Sequence, residues 1–167
     1  LVGIGIVSVL VLGHALLTLA YAALVNTRVA WLEEQIEAGN TRARHALDLI
    51  AGTTHITLSH QVMITVTRFA VAGITLLNIA APLIDANPDL NPLLVQVGAL
   101  FLAAGVTLIM GEIVPEAVGS TYANSLALVF VRPYQGLMVL FSPLVTGVIV
   151  ISKAISSAKS ATLPAEN

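Results

Sequence analysis

The sequence contains no cysteine and few charged residues. Without cysteine, disulfide frameworks, thiolate zinc sites and cysteine nucleophiles are excluded. Charged residues make up only 10% of the chain, whereas soluble domains carry about 25%. A soluble fold of 167 residues leaves too much surface exposed to water to hide a chain that is 57% hydrophobic. The composition therefore excludes a soluble enzyme, a nucleic-acid-binding domain and a disordered chain, and it predicts a protein embedded in the lipid bilayer.

The sequence also lacks the residue patterns that carry enzymatic chemistry. It has no serine, histidine and aspartate in a hydrolase order, no glycine-rich phosphate loop and no metalloprotease histidine pair. Its net charge of −2 gives no reason to expect a polyanionic partner. We therefore expect that the protein is not an enzyme, that no cofactor is certain and that nucleic acid is not a partner.

Three apolar stretches are long enough to cross a bilayer, which takes about 20 residues. They cover residues 2–25, 61–83 and 93–114. A fourth apolar stretch, residues 134–152, is interrupted by Pro143. The chain does not begin with methionine, so we expect that the natural N-terminus precedes the first stretch.

The segment between the first two predicted spans, residues 28–51, differs from them because it mixes charged and apolar residues. Its apolar residues recur near helical spacing, at Leu32, Ile36, Ala43, Leu47 and Ile50. This pattern predicts one or two amphipathic helices with Gly39 and Asn40 as the joint, because glycine ends helices and asparagine starts them. An apolar stripe beside a span favours a helix that lies on the membrane, with Trp31 at the depth of the headgroups.

The positions of the basic residues predict the orientation, because cytoplasmic loops carry an excess of lysine and arginine. Outside the second span they are Arg28, Arg42, Arg44, Arg132, Lys153 and Lys159. With three spans all of them lie on one side, which predicts an N-terminus outside and a C-terminus in the cytoplasm. A fourth crossing would place two lysines outside. We therefore expect an all-α integral membrane protein with three transmembrane helices, a juxtamembrane belt of amphipathic helices, a C-terminal interfacial or re-entrant helix at residues 134–152, and a disordered tail at residues 156–167.

Arg68 and Glu112 are the charged residues inside the predicted spans, and both are expected in the inner half of the bilayer. An arginine near the centre of a membrane helix costs about 2.5–3.5 kcal/mol, so it normally faces protein and has a partner. The alternative is that its long stem reaches the headgroups. Glu112 lies beside Gly111, and we expect Pro115 to break the helix and free carbonyl groups nearby. A carboxylate with freed carbonyls suits a hard cation, and an interfacial glutamate at a helix end is the alternative.

His14 is the one histidine of four that lies deep in a predicted span. Ligation of a haem or pigment needs an intramembrane histidine with room beside it, which the neighbouring Gly13 offers. A haem- or pigment-associated subunit of a bioenergetic complex is therefore one function to consider. The alternative is a histidine that packs in the protein interior.

The sequence Gly111-Glu112-Ile113-Val114-Pro115 resembles the Gly-Glu-Ile-x-Pro motif that ends the third span in the CNNM/CorC family of magnesium transporters. Residues 37–43 are similar to the juxtamembrane turn of that family. The resemblance covers about residues 10–155 and assigns residues 1–155 to a CNNM/CorC-like transmembrane domain. It implies three spans, an amphipathic belt and a divalent-cation site in the inner half of the membrane.

The chain departs from the family at residues that the resemblance assigns to the cation site. Tyr21 stands where the first span of the family has a carboxylate, and Arg68 stands where the second span has an asparagine. Glu116 follows the motif proline, where the family often has lysine. The first two changes alter the charge of the site by about two units, the charge of the ion. The cytosolic CBS domains of the family are not in this sequence.

Two further functions follow from the resemblance. The first is a non-transporting accessory or scaffold subunit, in which an ion pair of Arg68 and Glu112 takes the place of the cation. The second is a magnesium or divalent-cation transporter, with Glu112, Gly111, Thr65 and Thr18 as ligands. In either case we expect a protein of the bacterial plasma membrane that works in the lipid bilayer as a homo-oligomer or as a subunit of a larger membrane complex.

Overall fold

The apolar stretches of the sequence fold into long helices. The structure, a computed structural model, describes residues 2–161, without the side chains of Thr53 and of residues 152–161. All regular secondary structure in this range is helical. In chain order the elements are α1 (Val2–Asn26), α2 (Val29–Glu37), α3 (Thr41–Ala51), α4 (Thr53–Thr75), the π-helix π1 (Leu76–Ala80), α5 (Ala81–Ala86), α6 (Pro92–Val106), the π-helix π2 (Thr107–Ile113), α7 (Val114–Thr121) and α8 (Ala123–Ala161).

Four helical stretches are long and apolar enough to cross a membrane: Val2–Asn26, Thr54–Ala86, Pro92–Thr121 and Ala123–Ile151. The prediction of an all-helical integral membrane protein is therefore confirmed. The first three stretches contain the three predicted spans. Length and composition do not distinguish a crossing helix from one that lies in a single leaflet, so the number of crossings and the interfacial or re-entrant form of the last helix stay predictions.

The two belt helices, α2 and α3, meet at the predicted joint. Gly39 has a φ of +86°, a left-handed conformation that glycine adopts without strain. The side chain of Asn40 accepts a hydrogen bond from the backbone N–H of Arg42 at 3.0 Å and so caps α3. Leu32 is fully buried, and the other residues of the predicted apolar stripe are buried in the same core cluster or pack against it. The stripe of the belt therefore faces the long helices.

Helix α1 lies at the centre of the fold, in contact with α4, α7, α8 and π2. Small residues allow α7 to approach it closely. A Cβ atom on Gly119 of α7 would lie 2.6 Å from the Leu19 carbonyl oxygen and 2.9 Å from Ala22 Cβ. The core cluster joins α1 to α4 and α8 through residues that include Leu24 and Tyr134. This packing determines which residues of the long helices face each other.

The last helix begins earlier than predicted. The predicted apolar stretch begins at residue 134, but α8 begins at Ala123 and continues through Pro133 and Pro143. The part of α8 before the predicted start is apolar enough to pack against the core cluster, where Val131 is fully buried. The tail predicted as disordered, residues 156–167, falls on residues whose side chains or whole placement lie outside the described residues, so it stays a prediction.

Candidate functional site

Arg68 and Glu112, the charged residues of the predicted spans, are in contact. Arg68 Nε donates a hydrogen bond to Glu112 Oε1 at 3.0 Å, and Arg68 Nη2 donates to Glu112 Oε2 at 2.7 Å. The guanidinium and the carboxylate thus form a bidentate pair, a strong and directional arrangement of these two groups. The side chain of Glu112 is 21% exposed and that of Arg68 is 48% exposed. The pair joins α4 to π2 and engages both oxygens of the carboxylate.

Glu112 lies in π2, a wide helical turn that precedes a proline. Pro115 has no backbone N–H, so the carbonyl of Gly111, four residues earlier, lacks the donor that an α-helix would supply. The prediction that the helix breaks here is wrong, because the backbone stays helical from α6 through π2 into α7. Single π-helical turns within α-helices accommodate such a change and are frequent at functional sites. The carboxylate is therefore held on a helical backbone and not at a helix end.

His14 on α1 is the third member of the site, a role that the sequence did not reveal. Its side chain is fully buried, and its Nε2 lies 3.2 Å from Glu112 Oε1. Neither ring nitrogen makes a hydrogen bond within the described part of the chain. A Cβ atom on Gly111 would lie 2.9 Å from His14 Cδ2, so the glycine makes room for the ring. Two features of the sequence could have indicated this contact. One is the glycine beside the charged residue in the third span, and the other is the histidine at the middle of the first span.

The position of the site along the helices is clearest in α1, and its depth in the bilayer stays a prediction. His14 is twelve residues from either end of α1, which places the site level with the midpoint of that helix. The prediction began the second span at Gln61, but α4 begins eight residues earlier, at Thr53. Because an α-helix rises 1.5 Å per residue, those residues add about 12 Å of helix on the side of the belt. Arg68 therefore lies fifteen residues from the start of α4.

Two cavities of contrasting character border the ion pair. The first, of about 420 Å³ between α4 and α6, is lined by apolar residues apart from Arg68, Glu112 and Thr107. The second, of about 380 Å³ between α1, α4 and α7, is called the polar cavity below. Besides the ion pair, its polar lining consists of Thr18, Tyr21, Asn26, His60, Gln61 and Glu116. Because Arg68 and Glu112 line both cavities, the ion pair stands at their junction.

Aromatic rings occupy the part of the polar cavity where the family resemblance implies a carboxylate. The ring of Tyr21 stacks flat on that of His60, with centroids 3.9 Å apart and planes inclined by 2°. The Tyr21 hydroxyl lies 3.2 Å from Thr57 Oγ1, within hydrogen-bond distance. The stacked pair is held by α1 and α4 together. This corner of the site therefore presents ring faces and no carboxylate.

The structure brings only part of the alternative ligand set to the site. Thr18 lines the polar cavity, and its hydroxyl donates to the His14 carbonyl oxygen at 3.2 Å. Thr65 is exposed and lines neither cavity. Within residues 2–161, no group of three or more histidine, aspartate or glutamate side chains is arranged to hold a metal ion. The enclosed ring of His14, turned towards Glu112, adds no support for a haem or pigment role, which stays a prediction.

Comparison with known protein families agrees with the motif at the end of π2. A family model described as "Cyclin M transmembrane N-terminal domain" matches residues 5–166. No curated protein matches the chain. The matched range contains the ion pair, His14 and all residues that line the polar cavity.

Proposed function

The chain belongs to the cyclin M (CNNM) transmembrane-domain family, and on that premise we propose that it is a member in which an arginine takes the place of the transported cation. Its function is then that of a non-transporting accessory or scaffold subunit in the membrane. The bidentate contact between Arg68 and Glu112 is the observation that carries this proposal. The motif glutamate, which the family resemblance makes a cation ligand, has its two oxygens engaged by a permanent positive charge.

Electrostatics supports an arginine that excludes a divalent ion. Two unit charges 4 Å apart interact by about 4 kcal/mol at an effective dielectric constant of 20, so a divalent ion beside a guanidinium is repelled by about 8 kcal/mol. The guanidinium does not lose its proton, so neutralisation does not relieve this repulsion. A hard cation also needs several oxygen ligands, but Tyr21 brings no carboxylate to the polar cavity and Thr65 lines neither cavity.

The exposure of Arg68 supports a partner in the membrane. Its side chain is 48% exposed although it lies level with the middle of α1. A charge that faces lipid near the centre of a bilayer is costly, and such residues normally face protein. Phe69 and Phe101 are exposed on the same two helices that flank the apolar cavity. We therefore propose that a second copy or another membrane subunit covers this side of α4 and α6.

The alternative function, transport of magnesium or another divalent cation, is favoured by one observation. The polar cavity reaches Glu112, and the exposed half of Arg68 leaves the guanidinium room to move away from the carboxylate. In that case Glu112, Gly111 and Thr18 would meet the ion. The two functions differ in whether the unmutated protein responds to magnesium.

A magnesium titration of the full chain in lipid nanodiscs distinguishes these functions. A ligand that binds only the folded state raises the melting temperature with its concentration. We expect no magnesium-dependent rise for the unmutated protein, and equal behaviour of the Glu112→Gln variant. A rise that disappears in Glu112→Gln, but persists in the surface control Glu33→Gln, would refute the non-transporting function and support the alternative.

We also propose three membrane crossings, with α8 in the inner leaflet and the C-terminus in the cytoplasm. Since the chain has no cysteine, single substitutions supply unique thiols for an impermeant maleimide. We expect Asn87→Cys to be labelled on intact cells, and Thr41→Cys and Ser160→Cys only after permeabilisation. Labelling of both Asn87→Cys and Ser160→Cys on intact cells would contradict this topology and indicate a fourth crossing.

A further inference from the structure

Arg68 uses only one edge of its guanidinium to bind Glu112. The bonds to the carboxylate come from Nε–H and from one N–H of Nη2. A guanidinium carries five N–H groups, so both on Nη1 and the second on Nη2 are left without a partner among the described residues. One N–H of each of these two nitrogens points in parallel at the end of the fork. This second edge has the geometry that binds another carboxylate in bidentate fashion.

Two apolar cavities lie end to end beside Arg68. The first is the cavity of about 420 Å³ between α4 and α6, which Arg68 lines. The second, of about 480 Å³, lies between α1, α6 and the segment 75–83, and its lining is apolar apart from Ser8 and Thr75. Ala103 lines both cavities, which therefore meet at this residue. The two cavities together are called the long groove below.

The long groove runs along one face of the second apolar stretch. The residues of this stretch that line it recur at helical spacing, in the order Arg68, Val71, Ala72, Thr75, Ile79 and Leu83. Residues three or four positions apart lie on the same face of a helix. From Arg68 to Leu83 a helix rises about 22 Å, at 1.5 Å per residue. The long groove thus has the ion pair at one end and an apolar wall along the rest of its length.

The length of the groove matches one straightened acyl chain. The hydrocarbon core of a bilayer is about 30 Å thick and contains two layers of chains, so a disordered chain covers about 15 Å and a straightened chain more. The cavity volumes lie in the range of small-molecule sites. An occupant with one apolar chain therefore fits the wall, and an occupant with a carboxylate head fits the free edge of Arg68.

We propose that the long groove binds a fatty acid, with its carboxylate on the second edge of Arg68 and its chain along α4 and α6. A fatty alcohol does not match, because a single hydroxyl has no second oxygen for the parallel N–H groups. A phospholipid does not match, because it brings two chains to a groove that is long enough for one. The inference goes beyond the proposed function, because it uses the contact between Arg68 and Glu112 but not the exclusion of magnesium.

The charges of the site allow a second carboxylate. Glu112 and the fatty acid bind different edges of the guanidinium, so the positive group lies between the two negative ones. Coulomb energy falls with distance, so the attraction of Arg68 for the second carboxylate exceeds the repulsion from Glu112. The guanidinium keeps its proton, and therefore its charge, in this position. The side chain of Arg68 is 48% exposed, so the protein does not enclose it.

The fatty acid and the neighbouring subunit proposed above occupy different places. Phe69 and Phe101, on the side assigned to the neighbour, are exposed and line neither part of the long groove. The groove lies between the helices of one chain. Binding of the fatty acid is therefore expected in a single copy as well as in an oligomer.

The probe is palmitate, compared with 1-hexadecanol at equal mole fraction. The two have chains of equal length, but the alcohol has no carboxylate. We use the full chain in phosphatidylcholine nanodiscs, in an alkaline buffer that keeps palmitate ionised. We expect palmitate to raise the melting temperature in a saturable way, because a ligand of the folded state stabilises it. We expect 1-hexadecanol to leave the melting temperature unchanged.

One variant tests the path of the chain. Ala103→Phe places an aromatic ring where the two cavities meet, and it should abolish the palmitate-dependent rise by blocking the groove. The matched control is Ala117→Phe in α7, at an exposed residue that lines neither cavity. This control should keep the full rise.

A second variant tests the head. Arg68→Lys keeps a positive charge for Glu112, but an ammonium has no second edge of parallel N–H groups. It should also abolish the rise, whereas Arg132→Lys, the same change at an exposed residue of α8, should keep it. If Arg68→Lys does not fold, the comparison of Ala103→Phe with Ala117→Phe still tests the groove.

Three results would overturn the inference: no rise with palmitate, an equal rise with 1-hexadecanol, or equal rises in Ala103→Phe and Ala117→Phe. The inference and the proposed function fail separately. A magnesium response through Glu112 contradicts the proposed function, whereas the absence of a palmitate response contradicts the fatty-acid site.

Discussion

Both π-helices in the described part of the chain end two residues before a proline, Pro82 after π1 and Pro115 after π2. In each case the proline removes a donor that an α-helix would use, and the turn before it is widened. The helix continues beyond the proline in both, as α5 and α7. The proline is therefore the local cause of both π-helices. Any difference between them comes from the residues that they contact.

The two π-helices meet α1 in opposite ways. At π1 the glycine is on α1, because a Cβ atom on Gly3 would collide with the carbonyl oxygen of Asn78. At π2 the glycine is in the π-helix, because a Cβ atom on Gly111 would press on the ring of His14. The first arrangement packs backbone against backbone. The second leaves space for side chains, and only there do a carboxylate, a guanidinium and an imidazole meet.

The largest effect is expected from removing the charge that pairs with π2. Arg68→Ala leaves Glu112 without a counter-charge and should lower the free energy of unfolding by about 3 kcal/mol, the low end for a buried pair because Arg68 is partly exposed. Adding Glu112→Gln should recover much of this loss. Asn78→Ala, the matched change in π1, should cost less than about 1 kcal/mol.

Reversible unfolding of the full chain in mixed micelles would measure these differences. The comparison fails if Arg68→Ala costs no more than Asn78→Ala, or if the double variant is as unstable as Arg68→Ala alone. Either result would mean that the ion pair does not contribute specifically to the stability of π2.

A smaller effect is expected from filling the space that Gly111 leaves. Gly111→Ala forces the buried ring of His14 to shift, and overpacking of this kind costs about 2 kcal/mol. In a His14→Ala background the same change should cost less than about 0.5 kcal/mol, because the obstacle is gone. The control is Gly105→Ala in α6, where a Cβ atom meets nothing within 4 Å. Equal costs of Gly111→Ala in both backgrounds would show that His14 does not determine the need for glycine.

The smallest effect is expected from the prolines. Pro115→Ala restores a backbone donor and lets π2 tighten towards an α-helix, which turns Glu112 away from Arg68. The coupling energy of Arg68 and Glu112 in a double-mutant cycle should then fall by about 1 kcal/mol. Pro82→Ala should leave that coupling unchanged, since π1 does not carry the pair. A similar fall in both backgrounds would indicate a general loss of rigidity instead of a local change of register.

Much of the fold was predictable because the signals that specify it are local. Hydropathy and length mark the long helices, and the joint of the belt follows from the backbone freedom of Gly39 and the capping side chain of Asn40. Opposite charges in neighbouring spans, each costly alone, point to a pair, and Arg68 and Glu112 lie within 2.7 Å of each other. None of these inferences depends on how one helix is rotated against another.

The remaining features of the site were decided by how each helix is rotated about its axis and shifted along it. They are set by contacts between distant residues, such as the close approach of Gly119 to α1, which no periodicity along the chain encodes. Those contacts bring His14 to Glu112, leave Thr65 outside both cavities and place the site level with the middle of α1. Composition and motif by themselves thus determined a helical membrane protein with a charged pair in its spans. Only the packing of the helices decided which side chains surround that pair, because a helix presents a different face with every rotation about its axis.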